Sequence, residues 1–479
     1  MTRLTALMDG RIIGHIFEEQ GRLSLLYSDD WRNARGAYPL STSMPLAARR
    51  HADSVVRAFL WGLLPDNDQV LRRWGRKFQV SARNPFALIS HVGEDCAGAV
   101  QFATDERLEL LLAPANPGEI DWLEDGDIAE RLRTLSADAS AGRIARDTGQ
   151  FSLAGAQPKT AFYSDGKRWG VPHGRIPTTH IFKPPTGDFD GFAENEHLCL
   201  NLAARLGMAT ARSRVALFED VSVIIVERYD RRRVDDIVTA KTRQIATLSD
   251  RTENIDADRD ARAARAVAAL DAAKDQLTEE LQALQTGQLG PVLRVHQEDY
   301  CQALGVHPEN KYQNLGGPGV EAIISHLRAH TGRPGAIEQD VLRFRDALIF
   351  NWLIGGTDAH AKNYSILISA GGTVRLAPLY DMASILPYSD IDPRKVKLAM
   401  KIGDTYKLEK ATAAEWTKLA ANNGLKIDAL VDRMREMAAA IPDLLNDEVK
   451  ALSEAGVSHP ICEVLQTVLT DRAARFTSI

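Results

Sequence analysis

Cysteine is scarce: four occur in 479 residues, Cys96, Cys199, Cys301 and Cys462, each about a hundred positions or more from the next. They form no C-x-x-C pair or Cys/His cluster, so neither a zinc site nor a disulfide framework is expected, and a reducing compartment fits. Long apolar runs are missing too. No stretch approaches the roughly eighteen apolar residues of a membrane span. Residues 1–11 intersperse Arg3, Asp9 and Arg11 where a secretory leader needs an unbroken apolar core. A soluble, cytoplasmic protein with no membrane partner is the expectation. Neither charge sign dominates: 58 Lys and Arg against 64 Asp and Glu leave a net charge of −6. That balance argues against global attraction to nucleic acid and leaves room only for a local basic patch. The G-x-S-x-G, H-E-x-x-H, Walker lysine and EF-hand motifs are all absent.

What is present is an ordinary globular composition, 44% hydrophobic and 25% charged, long enough for about three compact units. Residues 4–27 read as a meander of strands, with Asp9-Gly10 as a hairpin turn and a second break at Gly21. A helical pattern over residues 51–74 places Val55, Val56, Leu60 and Leu64 on one face and is broken by Pro65-Asp66. This gives an amino-terminal unit over 1–105, followed by a polar linker and helix over 106–148. Residues 149–233 switch to short strands, predicted at 151–153, 159–163, 168–171, 178–183 and 221–226, with one helix from Glu194 to Leu206 stopped by Gly207. The result is a small α+β lobe. Residues 234–290 are helix-forming, with Val267, Leu270, Leu277, Leu281 and Leu284 as an apolar seam of about two and a half heptads. The seam suits packing against its own domain or, alternatively, association with a partner. Residues 291–479 are predicted to be mostly helical. Val341, Phe344, Leu348, Trp352 and Leu353 line one helix face, which Gly355-Gly356 should stop.

Directly after that stop come Asp358 and Asn363, then a predicted hairpin that ends at Asp381. Phosphoryl transfer by a protein kinase needs this set: one carboxylate accepts the proton of the attacking hydroxyl, and a carboxamide and a second carboxylate hold Mg²⁺ on the nucleotide. Taken alone, Asn363 could equally cap a turn and Asp381 a helix. Other parts of the chain supply the remaining elements in kinase order. Lys183 ends an apolar strand and could reach phosphates, or merely snorkel to the surface. Glu196, thirteen residues on, could hold that lysine, although Glu194 is also available. Residues 152–159 form a small-residue loop able to bring backbone N–H groups to phosphates. Finally, strand 221–226 leads into Glu227-Arg228-Tyr229, where a hinge between lobes would meet a purine.

These segments resemble the HipA-type serine/threonine kinase toxins. The likeness rests on Phe151-Ser152-Leu153-Ala154-Gly155-Ala156-Gln157-Pro158-Lys159, Thr179-His180-Ile181-Phe182-Lys183, Val226-Glu227-Arg228-Tyr229-Asp230-Arg231, Gly317-Pro318-Gly319, Gly356-Thr357-Asp358-Ala359-His360-Ala361-Lys362-Asn363 and Pro378-Leu379-Tyr380-Asp381. It extends to the amino-terminal Gly62-Leu63-Leu64-Pro65-Asp66 and Gly93-Glu94-Asp95. The resemblance implies an α+β, two-lobed protein-kinase-like (HipA-like) fold with an amino-terminal α/β subdomain and a mostly helical carboxy-terminal lobe. It implies an ATP- and Mg²⁺-dependent kinase acting as the toxin of a toxin–antitoxin pair, bound by a small helix-turn-helix (HipB-like) antitoxin that reaches operator DNA. An aminoacyl-tRNA synthetase is the implied protein substrate. By matching positions, Asp358 is the catalytic base, and Asn363 and Asp381 are metal ligands. Ala154, Gly155, Ala156, Gln157, Pro158 and Lys159 form the phosphate loop, and Lys183 contacts phosphates. Glu227, Arg228 and Tyr229 form the adenine hinge, with further nucleotide contacts from His360, Ala361, Lys362, Asn363 and Tyr380. Ser152 matches an autophosphorylated serine whose modification ejects the loop.

Two departures stand out. Pro158 removes one N–H from the phosphate loop, and the helical stretch 234–290 is an insertion after the hinge. Two other readings compete. One is a metal-dependent phosphoesterase built on the Asp358/His360 pair. The other is a catalytically silent co-repressor, with Arg394, Lys395, Lys397 and Lys401 near DNA phosphates.

Overall fold

The computed structural model describes residues 2–113, 118–137, 152–185, 187, 189–255, 261–285, 290–330, 332 and 334–476. Phe151, the expected linker from residue 138 to 148, and the charged run 256–260 lie outside them.

The amino-terminal meander forms as its turn residues dictate. Asp9 and Gly10 adopt φ of 53° and 70°, the left-handed pair that a tight hairpin demands, and they join Thr2–Met8 to Arg11–Glu19. Arg22–Tyr27, Arg50–His51 and Gln101–Ala103 complete a five-stranded antiparallel sheet. Along Arg22–Tyr27 the alternation puts Leu23, Leu25 and Tyr27 into the core. The helical pattern over 51–74 resolves into Asp53–Gly62 and Asp68–Phe78, the second capped by the Asn67 side chain. Between them, Leu63 to Asp66 form a corner in which Leu63 and Leu64 are buried and Pro65 and Asp66 half-buried.

The next sheet has six strands in the order Ser213–Phe218, Val221–Glu227, His180–Lys183, Thr160–Ser164, Trp169–Pro172 and Ile120–Leu123. On Val221–Glu227, Val223 and Ile225 pack with Ile128, Ala129 and Leu132 of the helix Asp125–Ala137. Ile224 and Val226 on the opposite face join the core that holds Leu198, Cys199 and Leu202 of the helix Phe192–Arg205. With both faces covered, Val223 to Val226 of this interior strand read as a continuous apolar run instead of an alternation. This corrects the expected division: residues 120–137, taken as connection, supply an edge strand and a covering helix of the small lobe. The expected strand at 151–153 is also not present in its described part. Ser152 instead donates its N–H to the Asp95 carbonyl, 3.0 Å away, so its backbone bonds go to the amino-terminal unit and not to a ladder.

The carboxy-terminal lobe is built on the helices Val320–His330, Pro334–Ile354, Ile427–Glu454 and Pro460–Ala474. A small sheet of His296–Asp299, Ser365–Ile368 and Val374–Leu376 faces the cleft between lobes. The predicted face of Pro334–Ile354 is buried at Val341, Phe344, Leu348, Trp352 and Leu353.

The insertion is two helices, Val234–Glu253 and Ala261–Gln285, lying against each other. Val234–Glu253 has no fully buried residue, and of the expected seam Val267, Leu270, Leu277 and Leu281 are half-buried while Leu284 is buried. The pair leaves and re-enters at one place, because Arg231–Arg233 pairs with Val292–Arg294 and the Val234 N–H donates to the Pro291 carbonyl at 3.0 Å. Replacing residues 235–289 by a short Gly-Ser link is therefore expected to shift the melting temperature by no more than about 2–4 °C, equivalent to ~1 kcal/mol. A larger loss in a thermal scan would mean that the pair supports the lobes.

Candidate active site

The site lies where three parts of the chain meet around a cavity of about 900 Å³. From the small lobe comes Lys183, the last residue of its strand, with only 3% of its surface exposed. Its Nζ donates to Glu196 Oε1 at 2.6 Å and also to Asp381 Oδ1. This decides between the two candidate glutamates, since Glu194 instead accepts a hydrogen bond from the Ser222 hydroxyl at 2.9 Å. Burial would lower the Lys183 pKa, but Asp381 and Glu196 hold it well above the usual lysine range. Burial would likewise raise Asp381, yet Lys183 and Lys159 keep its carboxyl far below the usual value. Glu196 is raised because its burial outweighs its share of the Lys183 charge.

Asp381 stands at the joint between lobes because the preceding chain is stitched to the small lobe: Leu379 N–H donates to the Ala209 carbonyl and Ala211 N–H to the Leu379 carbonyl, each at 2.8 Å. Its φ of 52° is left-handed, a conformation that costs a non-glycine residue of order 1 kcal/mol and that clusters at functional sites.

The second element is the turn after Pro334–Ile354. Gly355 leaves the helix at φ 66°, which ends it, and a Cβ at Gly356 would lie 2.4 Å from Asn351 Oδ1, so the chain passes too close to Asn351 for a side chain where the catalytic-loop candidates begin. Asn363 Nδ2 donates to the Asp358 carbonyl at 2.8 Å, which fixes the carboxamide and leaves its oxygen for the cavity. The Asp358 side chain is 68% exposed at the cavity mouth, and its Oδ1 accepts the hydroxyl of Tyr312. His360 lies 3.8 Å from that carboxylate and is driven down to about 4 by burial, so it is neutral at pH 7.

The third element is the small-residue loop. Ala154, Gly155, Ala156, Gln157, Pro158 and Lys159 all line the cavity. Lys159 Nζ is tied back to the Ala154 carbonyl at 2.7 Å, and burial lowers its pKa. Ser152, fully buried, donates its hydroxyl to the Leu63 carbonyl of the amino-terminal unit at 2.7 Å.

Glu227, Arg228, Tyr229, His360, Lys362 and Tyr380 also line the cavity. Three of the expected nucleotide contacts are placed differently from expectation. Ala361 is fully buried and outside the lining. The Arg228 side chain turns away into a buried ion cluster with Asp230 and Asp95. The Lys362 Nζ is held by Asp66 Oδ1 at 2.8 Å. Tyr380 packs its ring 5.8 Å from that of Tyr229 and donates its hydroxyl to the Lys362 carbonyl at 2.6 Å. The hinge N–H groups of Glu227 and Arg228 are used by the carbonyls of Arg212 and Thr179, at 2.8 and 2.9 Å. Sequence reasoning assigned no role to Asp66, Lys311 or Tyr312. The only signal was the Gly62-to-Asp66 motif, which lies nearly 300 residues from the loop it touches.

Asn363 and Asp381 fit a Mg²⁺ site of the kinase kind, in which one carboxylate and one amide oxygen suffice because phosphates and water supply the rest. No group of three or more His, Cys, Asp or Glu side chains is gathered as metal ligands among the described residues, which disfavours the two-metal phosphoesterase reading.

The HipA-like C-terminal domain family matches residues 151–445 and the HipA N-terminal domain family residues 4–103. A putative kinase, Y4mE, of Sinorhizobium fredii is 32% identical over 453 residues, 93% of each chain. The serine/threonine-protein kinase toxin HipA of Shewanella oneidensis is 28% identical over 442 residues, 89% of this chain and 84% of that one. The solved Shewanella oneidensis HipA, in complex with HipB and operator DNA, superposes with a TM-score of 0.74 at 24% identity, covering 99% of this chain and 98% of that one. With both family domains matched in order and a relative aligned almost end to end, the chain belongs to the HipA family of two-lobed, kinase-like proteins.

Proposed function

We propose that this protein is an ATP- and Mg²⁺-dependent serine/threonine protein kinase, acting as the growth-arresting toxin of a toxin–antitoxin pair. The observation that carries the reading is Lys183 clasped between Glu196 and Asp381 in the cavity that Asp358 and Asn363 also enter. Lys183 and Lys159 would meet the phosphates, the loop 154–159 would present backbone N–H groups to them, and the backbone of Glu227 to Tyr229 would meet the purine. Mg²⁺, held by Asn363 and Asp381, would neutralise charge on the phosphates. Asp358 would accept the proton of the substrate hydroxyl; its carboxylate lines the cavity and already accepts a hydrogen bond from the Tyr312 hydroxyl, so Oδ1 can receive a hydroxyl donor.

The proposed substrate is a serine-bearing, translation-related protein such as an aminoacyl-tRNA synthetase. The proposed partners are a HipB-like antitoxin and, through it, operator DNA, by analogy with the Shewanella complex. Ser152 is the proposed autophosphorylation site. A phosphoserine adds roughly −1.5 to −2 charges, which the buried contact with the Leu63 carbonyl cannot hold, so modification would expel the loop.

Calorimetric titration with ATP tests the reading. A single Mg²⁺-dependent site is expected in the wild type, with the Mg²⁺ dependence lost in Asp381→Asn. Absence of any ATP binding would overturn it.

A further inference from the structure

The segment Gly62-Leu63-Leu64-Pro65-Asp66 belongs to the amino-terminal unit, yet its polar groups are spent on both other parts of the cavity. On the phosphate-loop side, the Asp66 N–H donates to the Gly155 carbonyl at 3.1 Å, Pro65 bridges Gly155 in parallel, and the Leu63 carbonyl accepts the Ser152 hydroxyl at 2.7 Å. On the catalytic-loop side, the carboxylate of Asp66 is divided. Oδ1 takes Lys362 Nζ at 2.8 Å and Oδ2 takes Lys311 Nζ at 2.9 Å. All three side chains are largely buried, at 13% exposure for Asp66, 4% for Lys362 and 15% for Lys311.

The two lysines lead to the same place. Lys362 lies four residues after Asp358 in the same loop. Lys311 precedes Tyr312, whose hydroxyl is on the Asp358 carboxylate, and the Lys311 carbonyl accepts the Ala361 N–H at 3.2 Å. One carboxylate thus grips the loop of Asp358 from both sides, while the backbone of the same residue grips Gly155.

We propose that Asp66 is a positioning residue for phosphotransfer: it sets the separation between the phosphate loop and Asp358, and so makes the amino-terminal unit part of the catalytic apparatus. This rests on the kinase reading. Burial would raise the Asp66 carboxyl, but Lys362 and Lys311 pull it down to about 2, so it is charged throughout the working range. The same contact holds the Lys362 ammonium on Asp66 in the state described, 3.5 Å from the Gly62 carbonyl.

Asp66→Asn in the full chain keeps the backbone bond to Gly155 and removes the charge that holds both lysines. Because misplacement of reacting groups by about 1 Å costs on the order of 10²-fold in rate, single-turnover phosphotransfer should slow by ~10–100-fold. The ATP dissociation constant should stay within about threefold. A merely structural role would move ATP affinity and melting temperature together and would not separate the two constants. Lys311→Met, which cuts one arm at a less buried position, should show the same split with a smaller rate loss. Amide exchange without nucleotide gives a readout independent of catalysis: peptides spanning 152–159 and 358–363 should both exchange faster in Asp66→Asn. If the wild type transfers phosphate and Asp66→Asn matches it within about twofold, or if neither peptide changes, the clamp is wrong and the kinase reading survives. If the wild type binds no ATP, the kinase reading itself falls and the positioning role falls with it.

Discussion

Asp358→Asn is expected to slow phosphotransfer by about 10²–10⁴-fold, the range for loss of a general base, while leaving ATP affinity nearly unchanged. The separation follows from where Asp358 sits. Its side chain is at the exposed mouth of the cavity and accepts a tyrosine hydroxyl, whereas the groups proposed for the phosphates and metal, Lys183, Asn363 and Asp381, are less exposed. The amide cannot accept a proton at neutral pH but is isosteric with the carboxylate. The Asn363 bond to the Asp358 backbone carbonyl at 2.8 Å is also untouched. Rapid-quench measurement of the transfer step, beside an ATP titration of the same variant, checks this. Loss of ATP binding in parallel with rate would instead give Asp358 a role in holding the nucleotide.

The largest effect on stability is expected at Asp95. It is buried with Arg228, Arg231 and Arg294 at 3.4, 2.7 and 3.5 Å, and it also accepts the N–H and hydroxyl of Thr178 at 2.9 and 2.7 Å. Asp230 is the other acid of the cluster, accepting the Gly98 N–H at 2.7 Å. Three buried arginines therefore share two carboxylates, and the cluster ties the amino-terminal unit to the hinge strand. Removing one partner of a buried ion pair costs about 3–5 kcal/mol, because the remaining charge stays buried without compensation. Asp95→Asn is expected to fall in that range, read from denaturant unfolding at pH 7. Burial would raise the Asp95 carboxyl, but Arg231, Arg228 and Arg294 hold it well below its ordinary value of 3.8. A depressed folded-state value means that the stabilisation is complete above the unfolded value and is lost as pH falls through the folded one. The gap between wild type and variant should thus be constant near neutrality and narrow only below about pH 4.

Much of the candidate site was legible in the chain because the groups proposed for phosphotransfer fall at local spacings. Asp358 and Asn363 fall within one loop, Lys183 and Glu196 within one strand–helix unit, and the stop at Gly355-Gly356 announces where the loop begins. Glu196 and Glu194 could not be separated by spacing; the Ser222 hydroxyl, on a strand that pairs with Lys183's own, makes the distinction in space. The small-lobe edge strand Ile120–Leu123 was missed because two of its four residues, Asp121 and Trp122, are exposed, and a half-solvated edge carries little apolar signal. Arg228 read as a hinge contact from its neighbours, but its partner Asp95 lies 133 residues away in another unit. The role argued for Asp66 was hidden for the same reason: both lysines that reveal it are brought in by the opposite lobe.

The most direct test of the account is mass spectrometry of the purified protein after incubation with Mg²⁺ and ATP, with Asp358→Asn treated identically. A single added phosphate is expected on Ser152 in the wild type and none in the variant. No phosphate on any residue of the wild type, in a preparation that also fails to bind ATP, would contradict it.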